Sequence, residues 1–113
     1  MKIAIVGSRN LTINNLEMFV PDGVCEIVSG GAKGIDTCAE NYAKSHGIKF
    51  TVFLPEYQKF GKKFAPIKRN IDIIEYCDSV IAFWDGASKG TKFVIDHCKR
   101  TNKNIIVHIE ASM

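Results

Sequence analysis

The residues best suited to chemistry are Ser29-Gly30-Gly31-Ala32-Lys33-Gly34-Ile35-Asp36. Three glycines within five residues leave no Cβ to obstruct a ligand approaching the backbone. The apolar run Val24 to Val28 precedes them and reads as a buried strand. Ile35, Cys38, Ala39, Tyr42, Ala43 and His46 follow at helical spacing. A glycine-rich turn from strand to helix aims backbone N–H groups and the positive end of a helix at one point, which is an anion site. Asp36 suits a different task. A carboxylate repels phosphate, but it can cap free N–H groups or accept from a ribose hydroxyl. The plain alternative is a tight connection that happens to use glycine.

Two further stretches carry the same chemistry. Gly7-Ser8-Arg9 ends the first apolar run, and Arg9 can fork onto a phosphate or stack on a base. Trp84-Asp85-Gly86-Ala87-Ser88-Lys89-Gly90-Thr91 follows a later one, and Ser88, Gly90 and Thr91 offer N–H and hydroxyl donors at a helix start. Trp84 either stacks on a base or packs beneath its own loop.

The elements that must position these loops alternate along the chain. Strands are expected at 2–7, 24–28, 50–54, 80–83 and 105–109. The first helix is expected after a cap at Asn10 or Thr12, with Ile13, Leu16, Phe19 and Val20 inward, and Pro21-Asp22-Gly23 stops it. The second ends at Gly47, the third runs from about Pro66 to Cys77, and the fourth carries Val94, Ile95 and Cys98 inward. Residues 56–64, rich in charge and aromatics, read as a loop. Strands apolar on both faces, alternating with helices, imply a parallel sheet covered on each side. The fold class is therefore α/β: one Rossmann-like three-layer domain over 1–113, with a five-stranded parallel sheet in the order 3-2-1-4-5. Ligands of such sheets bind beyond the carboxyl ends of the strands, at the switch between strands one and four. All three loops end there.

Composition narrows the partners. Fifteen basic and 12 acidic residues give a net charge of +3, too mild to demand nucleic acid. Lys59, Lys62, Lys63, Lys68 and Arg69 form a basic cluster that reads as a solvated face or as an anion contact. No apolar run approaches the roughly 20 residues of a membrane span. Cys25, Cys38, Cys77 and Cys98 lie far apart at apolar positions, as buried thiols of a reducing cytoplasm would. Neither they nor His46, His97 and His108 have metal-ligand spacing, so no metal is expected.

The chain resembles the SLOG superfamily, named for the DNA-processing protein Smf (DprA) and the cytokinin-activating LOG enzymes, in Gly7-Ser8-Arg9 and in Ser29 to Asp36. Leu54-Pro55-Glu56-Tyr57, Phe60-Gly61-Lys62-Lys63, Ala65-Pro66, Arg69-Asn70, Ile81-Ala82-Phe83-Trp84 and Ser88-Lys89-Gly90-Thr91 resemble its small YspA-like, YpsA-related branch. The resemblance implies a domain that binds nucleotides or nucleotide-derived molecules such as ADP-ribose, NAD or a nucleoside monophosphate, with no cofactor required. The site it implies comprises Gly7, Ser8, Arg9, Ser29, Gly30, Gly31, Ala32, Lys33, Gly34, Asp36, Arg69, Asn70, Trp84, Ser88, Gly90 and Thr91. Tyr57, Phe60 and Phe64 are expected in the core or at a homodimer contact.

The LOG enzymes cleave the N-glycosidic bond of a nucleoside monophosphate and carry a glutamate about two residues after their Gly-Thr. Here Lys92, Phe93 and Val94 follow Thr91. Glycosidic cleavage needs a carboxylate beside the anomeric carbon. A hydrolase would have to draw on Asp85, Glu40 or Asp36, of which Asp85, beside the switch point, is the better placed. A small-nucleotide binder ranks first, a hydrolase second and a single-stranded nucleic-acid binder third.

Overall fold

The computed structural model describes residues 1–31 and 33–110. The expected ligand residue Ala32 lies outside them. β1 (Lys2–Gly7) is the middle strand, with Ile3, Ala4, Ile5 and Val6 all buried. β2 (Glu26–Ser29), β3 (Lys49–Val52), β4 (Ser79–Trp84) and β5 (Asn104–Ile109) complete a five-stranded sheet in the order β3-β2-β1-β4-β5. Every pairing is parallel, so each connection crosses over from one end of the sheet to the other.

One face of the sheet presents Ile3, Ile5, Ile27, Ile81 and Phe83 to α1 (Ile35–Ser45), which buries Ile35, Ala39 and Ala43 at i, i+4 and i+8. The other presents Ala4, Val6, Val28, Val80 and Ala82 to α2 (Tyr57–Tyr76) and α3 (Lys89–Arg100). β1 and β4 are apolar on both sides, as expected, whereas β2 buries Glu26 and Ser29 alongside Ile27 and Val28. The edge strands β3 and β5 depart from this, with Val52, Ile106 and Ile109 exposed.

Two elements differ from the sequence reading. The segment expected as the first helix forms only a single 3-10 turn at Leu16–Met18. Its apolar residues still serve the core: Leu11, Leu16 and Val20 are buried and Phe19 packs edge-on against Phe83. Thr12, Asn14 and Asn15 compete for backbone hydrogen bonds, and Pro21 disfavours helix at Val20, so packing survives where the helix does not. Residues 56–64, expected as a loop, enter α2 from Tyr57, and the helix is broken at Gly61, where φ is 80° and ψ 171°. Glycine alone adopts that conformation readily, so Gly61 lets two helical stretches share one element.

Of the thiols, Cys77 and Cys98 are buried as expected, but Cys38 is half-buried and Cys25 exposed, because Cys25 lies before β2 begins rather than inside it. No helix among the described residues is long and apolar enough to cross a membrane.

Candidate functional site

A cleft of about 390 Å3 opens where β1, β2 and β4 end. β1 contributes Gly7 and, just beyond it, Arg9; the turn after β2 contributes Gly30; and α1 contributes Asp36. Arg69 and Asn70 reach in from α2, and Ser88, Gly90 and Thr91 from the start of α3. The crossover topology thus brings together nine of the residues singled out in the sequence.

Three contacts close the floor. The Ser8 N–H donates to the Phe83 carbonyl at 3.1 Å, and the Asp85 N–H donates to Ser8 Oγ at 3.2 Å, tying the loops after β1 and β4 together. A Cβ on Gly7 would lie 2.7 Å from the Phe83 carbonyl oxygen and 2.5 Å from Ile35 Cγ1, so only glycine lets β1, β4 and α1 meet there. Buried Ser29 accepts from the Gly31 N–H at 3.2 Å and so shapes the glycine turn from beneath.

Arg69 lies across that turn. Its Nη1 donates to the Gly30 carbonyl at 2.9 Å and its Nε to Asn70 Oδ1 at 2.8 Å. Burial pulls the guanidinium below its ordinary pKa, the neighbouring Asp36 carboxylate and the Tyr57 hydroxyl oppose that pull, and Arg9 adds to it. Arg9, Asp36 and Arg69 are therefore close enough to feel one another. Asp36 is only 7% exposed. The cleft thus gathers two guanidinium side chains, Arg9 and Arg69, around one buried carboxyl group, Asp36.

The helix starts add donors. Gly34 caps α1 without a side chain, and Ser88 caps α3 without a side-chain bond to the helix backbone. The first-turn N–H groups of α3, at Gly90 and Thr91, therefore have no cap competing for them. Ser88 Oγ lies 3.4 Å from Thr91 Oγ1, and nothing lies within 4 Å of where a Gly90 Cβ would be. Donors and open space coincide at this point.

Other expected residues take structural places instead. The missing Cβ of Gly31 faces Val52 and Leu54 rather than the cleft. Gly34 has φ 73°, and a Cβ there would strike the backbone of Arg9 and Leu11, so it serves close packing. Lys33 is exposed and does not line the cleft. Trp84 takes the second of its two readings: its Nε1 donates to the Ser88 carbonyl at 3.0 Å and its ring packs on the core. Of the three acids considered for catalysis, only Asp36 lines the cleft. Asp85 Oδ1 accepts the N–H groups of Ala87 and Ser88 at 2.9 and 2.8 Å, and these bonds hold its carboxyl below the usual carboxylate range. Glu40 pairs with Lys44 at 2.9 Å on the outer side of α1.

The apolar part of the lining, Val6, Pro66, Ile73 and Val94, escaped the sequence reading. The signal was present, since Pro66, Arg69, Asn70 and Ile73 stand at i, i+3, i+4 and i+7 on one helical face. A wider groove of about 560 Å3 runs between residues 12–17 and α1, but neither lysine nor arginine lines it.

No curated protein and no solved structure matches the chain. The model of the family described as DNA recombination-mediator protein A matches residues 1–58, which carry β1, the glycine turn, α1 and β3 and end just inside α2. That stretch is just over half of the 113 residues, and the chain belongs to the DNA recombination-mediator protein A family, within the SLOG superfamily.

Proposed function

We propose that the cleft binds a phosphate-bearing nucleotide or nucleotide-derived small molecule, of the ADP-ribose, NAD or nucleoside-monophosphate kind, and that the chain senses or processes that ligand in a reducing cytoplasm without a further cofactor. The observation that carries the reading is the convergence of Arg9 and Arg69, the latter seated on Gly30, with the uncapped start of α3, at a point where Gly90 leaves the backbone open to a ligand. About 390 Å3 suits one mononucleotide unit, and a dinucleotide would extend out of the cleft. The Arg69-Asn70 and Ser88 to Thr91 motifs, beyond the family match, support placement in the YspA-like branch.

Thermal unfolding with AMP, ADP-ribose and NAD, each against its dephosphorylated nucleoside, tests this. A ligand bound only by the native state raises the melting temperature by mass action. Phosphorylated ligands are expected to raise it and nucleosides to leave it unchanged. Equal shifts overturn the reading.

Two observations keep other readings in view. The family description names a DNA recombination mediator, and Tyr57 and Phe64 stand exposed in the same stretch of chain as the exposed Lys59, Lys62 and Lys63, as a single-strand binder's surface would. Oligonucleotide binding that falls steeply with salt would favour that reading. Asp36 in the cleft keeps an N-glycosidase reading testable: release of free base from nucleoside monophosphates, lost in Asp36→Asn, would establish it. The expected result is no release, since Asp36 sits beside Arg69 and no carboxylate follows Thr91 within the first turn.

A further inference from the structure

The two edges of the sheet are built differently. β3 has four residues, opens with Lys49 and runs on to Pro55, features that keep an edge from pairing. β5 has six residues, Asn104-Ile105-Ile106-Val107-His108-Ile109, with no proline, glycine, lysine, arginine or carboxylate. Its side chains are half unburied, with Ile106 52% and Ile109 71% exposed.

The hydrogen bonds show which backbone groups of β5 face outward. The Glu110 N–H donates to the Trp84 carbonyl at 2.8 Å, and Trp84 pairs with Ile109 in the parallel register. Residues 106, 108 and 110 therefore turn their N–H and C=O groups toward β4, and Ile105, Val107 and Ile109 turn theirs away from the sheet. Side chains alternate as well. Ile106 shares the α1 face with His108, which stacks on Phe83, and Ile105 and Val107 pack on the opposite core with Ile109 beyond them on the same side.

We propose that β5 pairs antiparallel with β5 of a second copy of this chain, about a two-fold axis through Val107, making one sheet continuous across both copies. Symmetry and the outward groups restrict the register. A two-fold axis perpendicular to the sheet keeps each face on its own side, so opposite residues must differ by an even number. The residues exchanging hydrogen bonds must also be outward-facing ones. Centring on Val107 pairs Val107 with its copy and Ile105 with Ile109 of the second copy, and every outward N–H and C=O of β5 finds a partner. Ile106 then faces His108 of the second copy, so both exposed isoleucines gain a cross-strand neighbour. Centring on Ile106 instead sets Ile109 opposite Lys103, whose ammonium already donates to the Cys77 carbonyl at 2.6 Å. The strand carries no lysine, arginine or carboxylate, so no such like charges meet across the axis. The pairing draws nothing from the cleft.

Sedimentation and native mass spectrometry of the full chain test it, with residue-resolved amide exchange as the second readout. The parent protein is expected at about 25 kDa, twice the 12.6 kDa chain. Ile106→Lys/Ile109→Lys, both at exposed positions, is expected to run as a monomer with the parent's circular dichroism. In the unmodified parent, amides of Ile105, Val107 and Ile109 are expected to lose protection on dilution while those of β1 do not. This arm stands even if the double variant fails to fold. A parent that remains monomeric at every concentration overturns the proposal. So does a dimer that persists in the double variant, or one whose Val107 and Ile109 amides exchange as freely as an open edge.

Discussion

Replacing Gly30 with alanine puts a methyl group where Arg69 now lies. The new Cβ would sit 2.7 Å from Nη1 and 3.0 Å from Cζ of that side chain. Gly30 is not among the positive-φ glycines, so the backbone accepts alanine without strain and the guanidinium must move. The loss is the 2.9 Å bond to the Gly30 carbonyl. A hydrogen bond to a charged donor contributes about 1.5–3 kcal/mol, and at this half-buried site water recovers part of it, leaving about 1–2 kcal/mol. Arg69→Ala removes the same bond. Each single variant is therefore expected to unfold at lower denaturant with an unchanged m-value, and the double variant to be no less stable than the worse single one. Ligand affinity should follow the same cycle. Displacing or deleting Arg69 is expected to weaken a phosphate ligand about 30-fold, or ~2 kcal/mol, in either single variant and no further in the double. Additive losses, in stability or in affinity, would refute the picture of Gly30 as the seat of Arg69.

Two other expectations concern titrating groups. Asp85 is held below its ordinary range by the Ala87 and Ser88 N–H groups, so its folded pKa lies under its unfolded one. Its contribution is complete above the unfolded value and is lost as pH falls through the folded one, so Asp85→Asn should flatten the acid limb of stability below about pH 4; an unchanged limb would disprove this. Burial pushes Cys77 up to about 12 and Cys98 up to about 11, whereas Cys25 is exposed. An alkylating reagent at pH 8 should label Cys25 first and spare Cys77 and Cys98 until the chain is unfolded, which peptide mass mapping would show.

Much of this arrangement is written locally. Gly30, Gly31 and Gly34 mark the turn, and apolar spacing in α1 and α3 marks which sides face the sheet. Strand order follows from the alternation of elements and the handedness of crossovers. Harder to read is anything settled by distant partners. Leu16, Phe19 and Val20 show a helix's periodicity and are packed as a helix would pack them, yet the backbone makes one 3-10 turn, because periodicity reports contact with the core and not hydrogen bonding. The Gly61 break hid the start of α2, whose outer face is polar or exposed and gives no apolar stripe. Trp84 was open to stacking on a base, and Asp85 to serving as a catalytic acid, because both stand at a strand end. Their partners, the Ser88 carbonyl and the Ala87 and Ser88 N–H groups, turn both toward their own loop.

The position of β1 has a consequence for the order of events during synthesis. One edge of this strand is matched early, since Ile3 pairs with Ile27, but the other waits for Ser79 to Phe83. At about 5–20 residues per second, the 27 residues from Val52 to Ser79 take the ribosome roughly 1–5 s. Throughout that interval the nascent β1-β2-α1-β3 unit carries a bare edge along Ile3-Ala4-Ile5-Val6, residues that are all buried in the finished fold. Translation speed across α2 therefore sets how long a sticky intermediate persists. Slowing it there should increase aggregation even though the finished fold is unchanged.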